Sequence, residues 1–205
     1  MQTIDAWLDE LASPAPAPGG GAAAALSAST GASLICMVCN LTIGKPKYAA
    51  FQETLTAALA RAQEIRQAAL RLVDEDARAF SAVMAAYQLP RGDDAERAAR
   101  AVAVQEALAA AAQVSLRIAE LAAEVIGLAD GIVDGANVNV ISDVGVAAAT
   151  ARAGLQSALV TVEVNLAGMT DAQARQAIAR EADRCEQAIG RADAVVGEVR
   201  GKIAR

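Results

Sequence analysis

The chain has 205 residues, 18 basic against 24 acidic side chains, and 55% apolar residues with only 2% aromatics. Alanine alone accounts for 54 positions. That apolar content excludes a disordered chain, and the shortage of aromatic and β-branched residues argues against an all-β fold. Alanine instead suits closely packed helices. A net charge of −6 with no basic run leaves nothing to track a phosphate backbone, so nucleic acid is not expected as a partner.

Histidine is absent, which removes the commonest general base and metal ligand. Acid–base chemistry then falls to Asp, Glu, Lys, Tyr, Cys or the main chain. Three cysteines (Cys36, Cys39, Cys185) are too few for a disulfide framework, and a reducing cytoplasm is the expected setting. Met1 to Asp5 carries no basic region, so no secretory signal is expected.

In chain order, Ile4, Trp7, Leu8 and Leu11 are spaced by three and four and predict a short amphipathic helix over 3–12. Ser13 to Gly21 is a stiff proline segment ending in three glycines. A helix over about 22–42 follows. It is long enough to span a bilayer but rich in Ala, Ser and Thr, so it reads as a helix buried in protein, with no membrane partner. Gly44-Lys45-Pro46 breaks it. The next helix is predicted over 47–87, with a turn at 89–93 and another helix over 94–129 capped by Asp93 or Asp94. Residues 130–141 read as irregular. Ser142 or Asp143 is the expected cap of a helix to about 166, and Thr170 to Gln173 reads as a capping box opening a last helix over 171–204.

From Asp130 to Leu166 there are only five charged residues. Two nearly uncharged helices in a chain of about six imply surface covered by a second copy, most simply a two-fold homodimer.

Four strings could carry chemistry. Gly19, Gly20 and Gly21 before a helix favour an anionic group at free backbone N–H groups, or form a chain-reversal loop. Asn40 to Tyr48 places Lys45 and Lys47 at a helix end, either satisfying its dipole or binding a carboxylate or phosphate. Asp74, Glu75 and Asp76 spread around a helix otherwise rich in apolar faces. They are a solvated run, or one faces inward with a raised pKa. Asn137 to Asp143 caps a helix or walls a pocket. Cys36 and Cys39 lack further metal ligands and read as core thiols, so no metal site is expected.

Together, PGGG (18–21), NLTIGKPKY (40–48), DEDARAF (74–80) and NVNVISDVGVAA (137–148) resemble the formiminotransferase-cyclodeaminase C-terminal family over residues 4 to about 200. The resemblance implies an all-helical homodimer, an up-and-down-like bundle forming a single domain over 1–205, with a folate-binding cleft. No formiminotransferase sequence accompanies it, so the free-standing form is expected. It further implies Asp76, Asp143 and Lys45 as catalytic residues. Gly19, Gly20, Gly21, Asn40, Lys47, Tyr48, Asp74, Asn139 and Ser142 are implied as substrate-binding. The chain departs from the family's pattern at Ala22, Pro46 and Val138. The implied activity is methenyltetrahydrofolate cyclohydrolase, or alternatively formimidoyltetrahydrofolate cyclodeaminase, with no cofactor. On residues alone, a non-enzymatic helical interaction protein remains the competing class.

Overall fold

The computed structural model describes residues 3–204, so the first two residues of the amino-terminal stretch lie outside it. The described residues form seven α-helices and no strand: α1 (Ile4–Leu11), α2 (Gly20–Asn40), α3 (Gln52–Gln88), α4 (Asp94–Ile132), α5 (Ile141–Gly168), α6 (Ala172–Glu186) and α7 (Ala188–Ile203). Two 3-10 turns, Pro46–Phe51 and Val138–Val140, precede α3 and α5.

The element types follow the sequence closely, and the differences lie at the ends. α3 starts later than the expected residue 47. Pro46 opens a 3-10 turn, and Tyr48 leaves helical geometry at φ −112°, ψ 23°. Asp93 caps α4, accepting from the Glu96 N–H at 2.8 Å. Neither Ser142 nor Asp143 caps α5. Its N-cap is Val140, without a side-chain bond, because the preceding 3-10 turn already carries the cap: Asn137 Oδ1 accepts from the Asn139 N–H. Asp171, not Thr170, caps α6, accepting from the Gln173 and Ala174 N–H groups. The single helix expected over 171–204 is two, parted at Gln187.

α2 is the central helix, packed against α3, α4 and α5. By length and composition it could cross a membrane, yet 61% of that apolar window is buried against protein. Its pairing with α5 is made close by small residues. A Cβ at Gly154 would stand 2.9 Å from the Ala24 carbonyl oxygen and 3.2 Å from the Ala28 nitrogen. Backbone atoms cannot step aside as a flexible side chain can. Gly154→Val should therefore cost about 1–3 kcal/mol through overpacking, lowering the melting temperature in a thermal scan. Gly197→Ala on α7, where nothing lies within 4 Å, should leave it unchanged or slightly higher.

α1 has no buried residue, and Ile4 and Leu8 are exposed. The outer edges of α2 and α5 are also uncharged surface: Met37, Leu41, Val146, Val160 and Val164 are all exposed.

Candidate functional site

The proline segment and the three glycines end on the first turn of α2. Gly19 is its N-cap, in extended geometry, and the helix begins at Gly20. α3 passes directly against this turn. A Cβ at Gly21 would lie 2.0 Å from Asp76 Oδ1 and 2.5 Å from its Cγ, so only glycine lets the carboxylate come this close. Asp76 accepts a hydrogen bond from the Ala22 N–H. The first N–H groups of a helix have no intrahelical partner and carry the positive end of its dipole, which is why an acid is stable here.

Asp76 faces a cleft of about 350 Å³. The proline–glycine loop forms one side. Ala79, Phe80, Val83, Met84 and Tyr87 of α3 form a long wall, Ala111 and Ser115 of α4 lie opposite, and Thr161, Val164 and Asn165 of α5 complete it. Asp76 is the only charged side chain in this lining. Burial therefore dominates its ionisation and raises its pKa above the ordinary carboxylate range, while the Ala22 N–H pulls it partly back.

The three acids of the DED string have separate fates. Asp74 is exposed and away from the cleft lining. Glu75 pairs with Arg117 at 2.6 Å. Asp76 alone points inward. The large cleft residues Phe80, Met84 and Tyr87 were missed by reading the sequence. They follow Asp76 at helical spacing, four, eight and eleven residues on, so extending one stripe from that acid would have found them.

The other predicted residues gather at the opposite end of α2. The Asn137 side-chain amide donates to the Leu41 carbonyl at 3.0 Å, and its backbone N–H to Thr42 Oγ1 at 3.1 Å. The Tyr48 hydroxyl donates to Asn137 Oδ1 at 3.4 Å and accepts from the Val138 N–H at 3.1 Å. Tyr48 is buried, so its hydroxyl acts as a strut between two turns. Thr42 and Asn137, not singled out as site residues, complete that strut. Lys45, Lys47, Asn40, Asn139 and Ser142 are exposed around it. Lys47 lies 5.5 Å from the centre of the Tyr48 ring. Asp143 is partly buried in the first turn of α5 and makes no ion pair among the described residues.

α2 has 21 residues, about 30 Å at the rise of an α-helix. One chain thus brings Gly19, Gly20, Gly21 and Asp76 together, and separates them from Lys45, Lys47 and the 137–143 turn. An Asp76–Lys45 pair does not form within a single copy.

Cys36 and Cys39 lie side by side in the core, and burial pushes Cys39 up to about 11. Among the described residues no three His, Cys, Asp or Glu side chains converge as metal ligands.

A family model described as formiminotransferase-cyclodeaminase matches residues 3–184. Methenyltetrahydrofolate cyclohydrolase of Methylorubrum extorquens is 48% identical over 170 residues, covering 83% of this chain and 82% of that protein. Formimidoyltransferase-cyclodeaminase of Mus musculus is 33% identical over 144 residues, 70% of this chain but only 27% of that longer protein. The crystal structure of formiminotetrahydrofolate cyclodeaminase from Thermotoga maritima superposes with a TM-score of 0.88 at 25% identity, over 100% of this chain and 98% of that one.

Proposed function

The chain belongs to the formiminotransferase-cyclodeaminase family, and from that premise we propose that it is a folate one-carbon enzyme, a methenyltetrahydrofolate cyclohydrolase. The observation that carries the proposal is Asp76: a partly buried carboxylate of raised pKa, seated on a helix N-terminus in an otherwise uncharged cleft. The closer similarity to the cyclohydrolase, over more than four fifths of both chains, supports this activity ahead of the cyclodeaminase.

Methenyltetrahydrofolate carries a cationic amidinium carbon, which a lone carboxylate attracts. Water attacks that carbon while Asp76 accepts its proton. The same carboxyl group then returns that proton to the departing ring nitrogen as the ring opens, and the remaining hydroxyl proton is released to solvent to leave the formyl product. Acid–base help of this kind contributes about 10²–10⁴-fold. The Gly20 and Gly21 N–H groups, which lack intrahelical partners by geometry, are the donors available to the developing oxygen. Phe80 and Met84 supply apolar surface for the aromatic part of the substrate. No metal or organic cofactor is part of the scheme.

The cyclodeaminase reading is favoured by one observation, the superposition on the Thermotoga maritima cyclodeaminase. In that reaction the folate nitrogen attacks the formimino carbon and ammonia leaves, through a tetrahedral carbon of the same kind. Following methenyl absorbance with methenyl- and with formiminotetrahydrofolate, and assaying ammonia in the second case, separates the two. Loss of methenyl absorbance faster than the uncatalysed rate supports the cyclohydrolase. Methenyl formation with ammonia release supports the cyclodeaminase. If neither change occurs, the folate reading fails.

The active form in this proposal is a homodimer in the cytoplasm, built on the uncharged outer faces of α2 and α5. A two-fold axis across those antiparallel helices would carry the Lys45–Asp143 end of one copy to the Asp76 cleft of the other. Light scattering should give a dimer at micromolar concentration. Mixing Asp76→Asn with Lys45→Ala chains after denaturation should restore part of the activity that each lacks alone. A monomer, or mixtures with no recovery, would refute the shared site.

A further inference from the structure

Tyr87 lines the same cleft, about three turns along α3 from Asp76 or about 16 Å. Over it stands Arg100 of α4. Its guanidinium carbon is 5.7 Å from the centre of the Tyr87 ring, and its Nε and Nη2 donate to the Tyr87 carbonyl oxygen at 3.3 and 3.1 Å. The acids nearest it in the chain have other partners. Arg97 pairs with Asp94 at 2.6 Å, Asp93 accepts from the Glu96 N–H, and Glu96 accepts from the Gly92 N–H at 2.7 Å. Arg100 makes no ion pair with a carboxylate among the described residues.

We propose that Arg100, held on Tyr87, is the anchor for the carboxylates of the substrate's glutamate tail. This rests on the folate reading of the cleft. Such a substrate has a cationic reacting end and an anionic tail joined by an aromatic ring. The cleft has an anionic end at Asp76 and an apolar wall at Phe80 and Met84, and Arg100 stands just outside its lining, against Tyr87. The order of charges along α3 matches the order along the substrate. Stacking and the two bonds to the Tyr87 carbonyl fix the guanidinium plane before any ligand arrives, with Nη1 left for a carboxylate. A planar, pre-oriented fork of this kind recognises carboxylates better than a mobile ammonium does. Lys45 and Lys47 are the rival cations, since the partner copy of the proposed dimer would bring them to the same cleft.

The test compares methenyltetrahydrofolate carrying one and three glutamates with methenyltetrahydropteroate, which has no tail. The wild-type protein should show a lower KM for the tailed substrates. Arg100→Gln keeps a donor for the Tyr87 carbonyl but removes the charge. It should raise KM for the tailed substrates about tenfold, the weight of one charge-assisted hydrogen bond, and so close most of the gap to the tail-less one, with kcat little changed. Arg100→Lys should restore part of the gap. An equal rise in KM on all three substrates would make Arg100 a structural residue and overturn the anchor. So would an unchanged gap in Arg100→Gln, or a gap that closes in Lys47→Gln instead. A wild-type protein that converts none of the three, and does not convert formiminotetrahydrofolate either, overturns the folate reading and the anchor with it.

Discussion

Asp76→Asn should lower turnover by about 10²-fold or more, the weight of a lost general base, while fold and melting temperature persist. Asparagine has nearly the same shape and retains an oxygen to accept the Ala22 N–H. What it lacks is the ability to take a proton. Burial raises the Asp76 pKa in the folded protein. Ionising it therefore costs folding stability as pH rises from the unfolded-state value through the folded one. Removing that ionisation should leave the variant at least as stable as the wild type at neutral pH. The same shift sets the pH profile. kcat/KM should fall as pH drops through a pKa above the usual carboxylate range, and that acid limb should vanish in Asp76→Asn. Asp143→Asn provides the contrast. Asp143 caps nothing, so replacing it gives up only a favourable charge in the first turn of α5, worth about 0.3–1 kcal/mol. A large activity loss there with an unchanged melting temperature would move the base to Asp143, acting in the partner's cleft.

Gly21→Ala should be nearly as damaging to activity as Asp76→Asn, with little cost in stability. The new methyl group would stand 2.0 Å from Asp76 Oδ1. The obstructing atoms belong to the end of a side chain, so Asp76 can turn away and release the Ala22 N–H without disturbing the backbone. Alanine also improves the local helix propensity. The carboxylate, however, is displaced by more than 1 Å from the reacting carbon, and misplacement on that scale can cost about 10²-fold. Gly20→Ala is the control, because nothing lies within 4 Å of the Cβ it would add. Steady-state kinetics with circular dichroism on both variants would separate the two positions. Equal, mild effects would mean that Asp76 need not touch the α2 turn to work.

The helical class and the main breaks were legible in the sequence, and so was the possibility that one acid of the DED string faces inward. Pro46 and Pro90 interrupt backbone hydrogen bonding wherever they stand, and alanine-rich stretches between such marks have little alternative to helix. Those are local effects, so local reading finds them. Three adjacent acids imply that one faces inward, but not which one. That choice depended on α4 supplying Arg117 for Glu75 and on α2 supplying a helix terminus for Asp76. The break at Gln187 carries no proline or glycine at the junction itself, and no local signal marks it.

The grouping of the site was decided by tertiary structure alone. Gly21 and Asp76 are 55 positions apart in the chain and in contact in space. Lys45 is closer in sequence to Gly21 than Asp76 is, yet it lies a full helix length away, because the 21 residues of α2 stand between them. A sequence determines which residues share a helix face through a fixed rise and rotation per residue. Which faces meet depends on the packing of whole helices against one another. In this chain that packing turns on small contacts such as Gly154 against the Ala24 carbonyl, whose partners no local pattern announces.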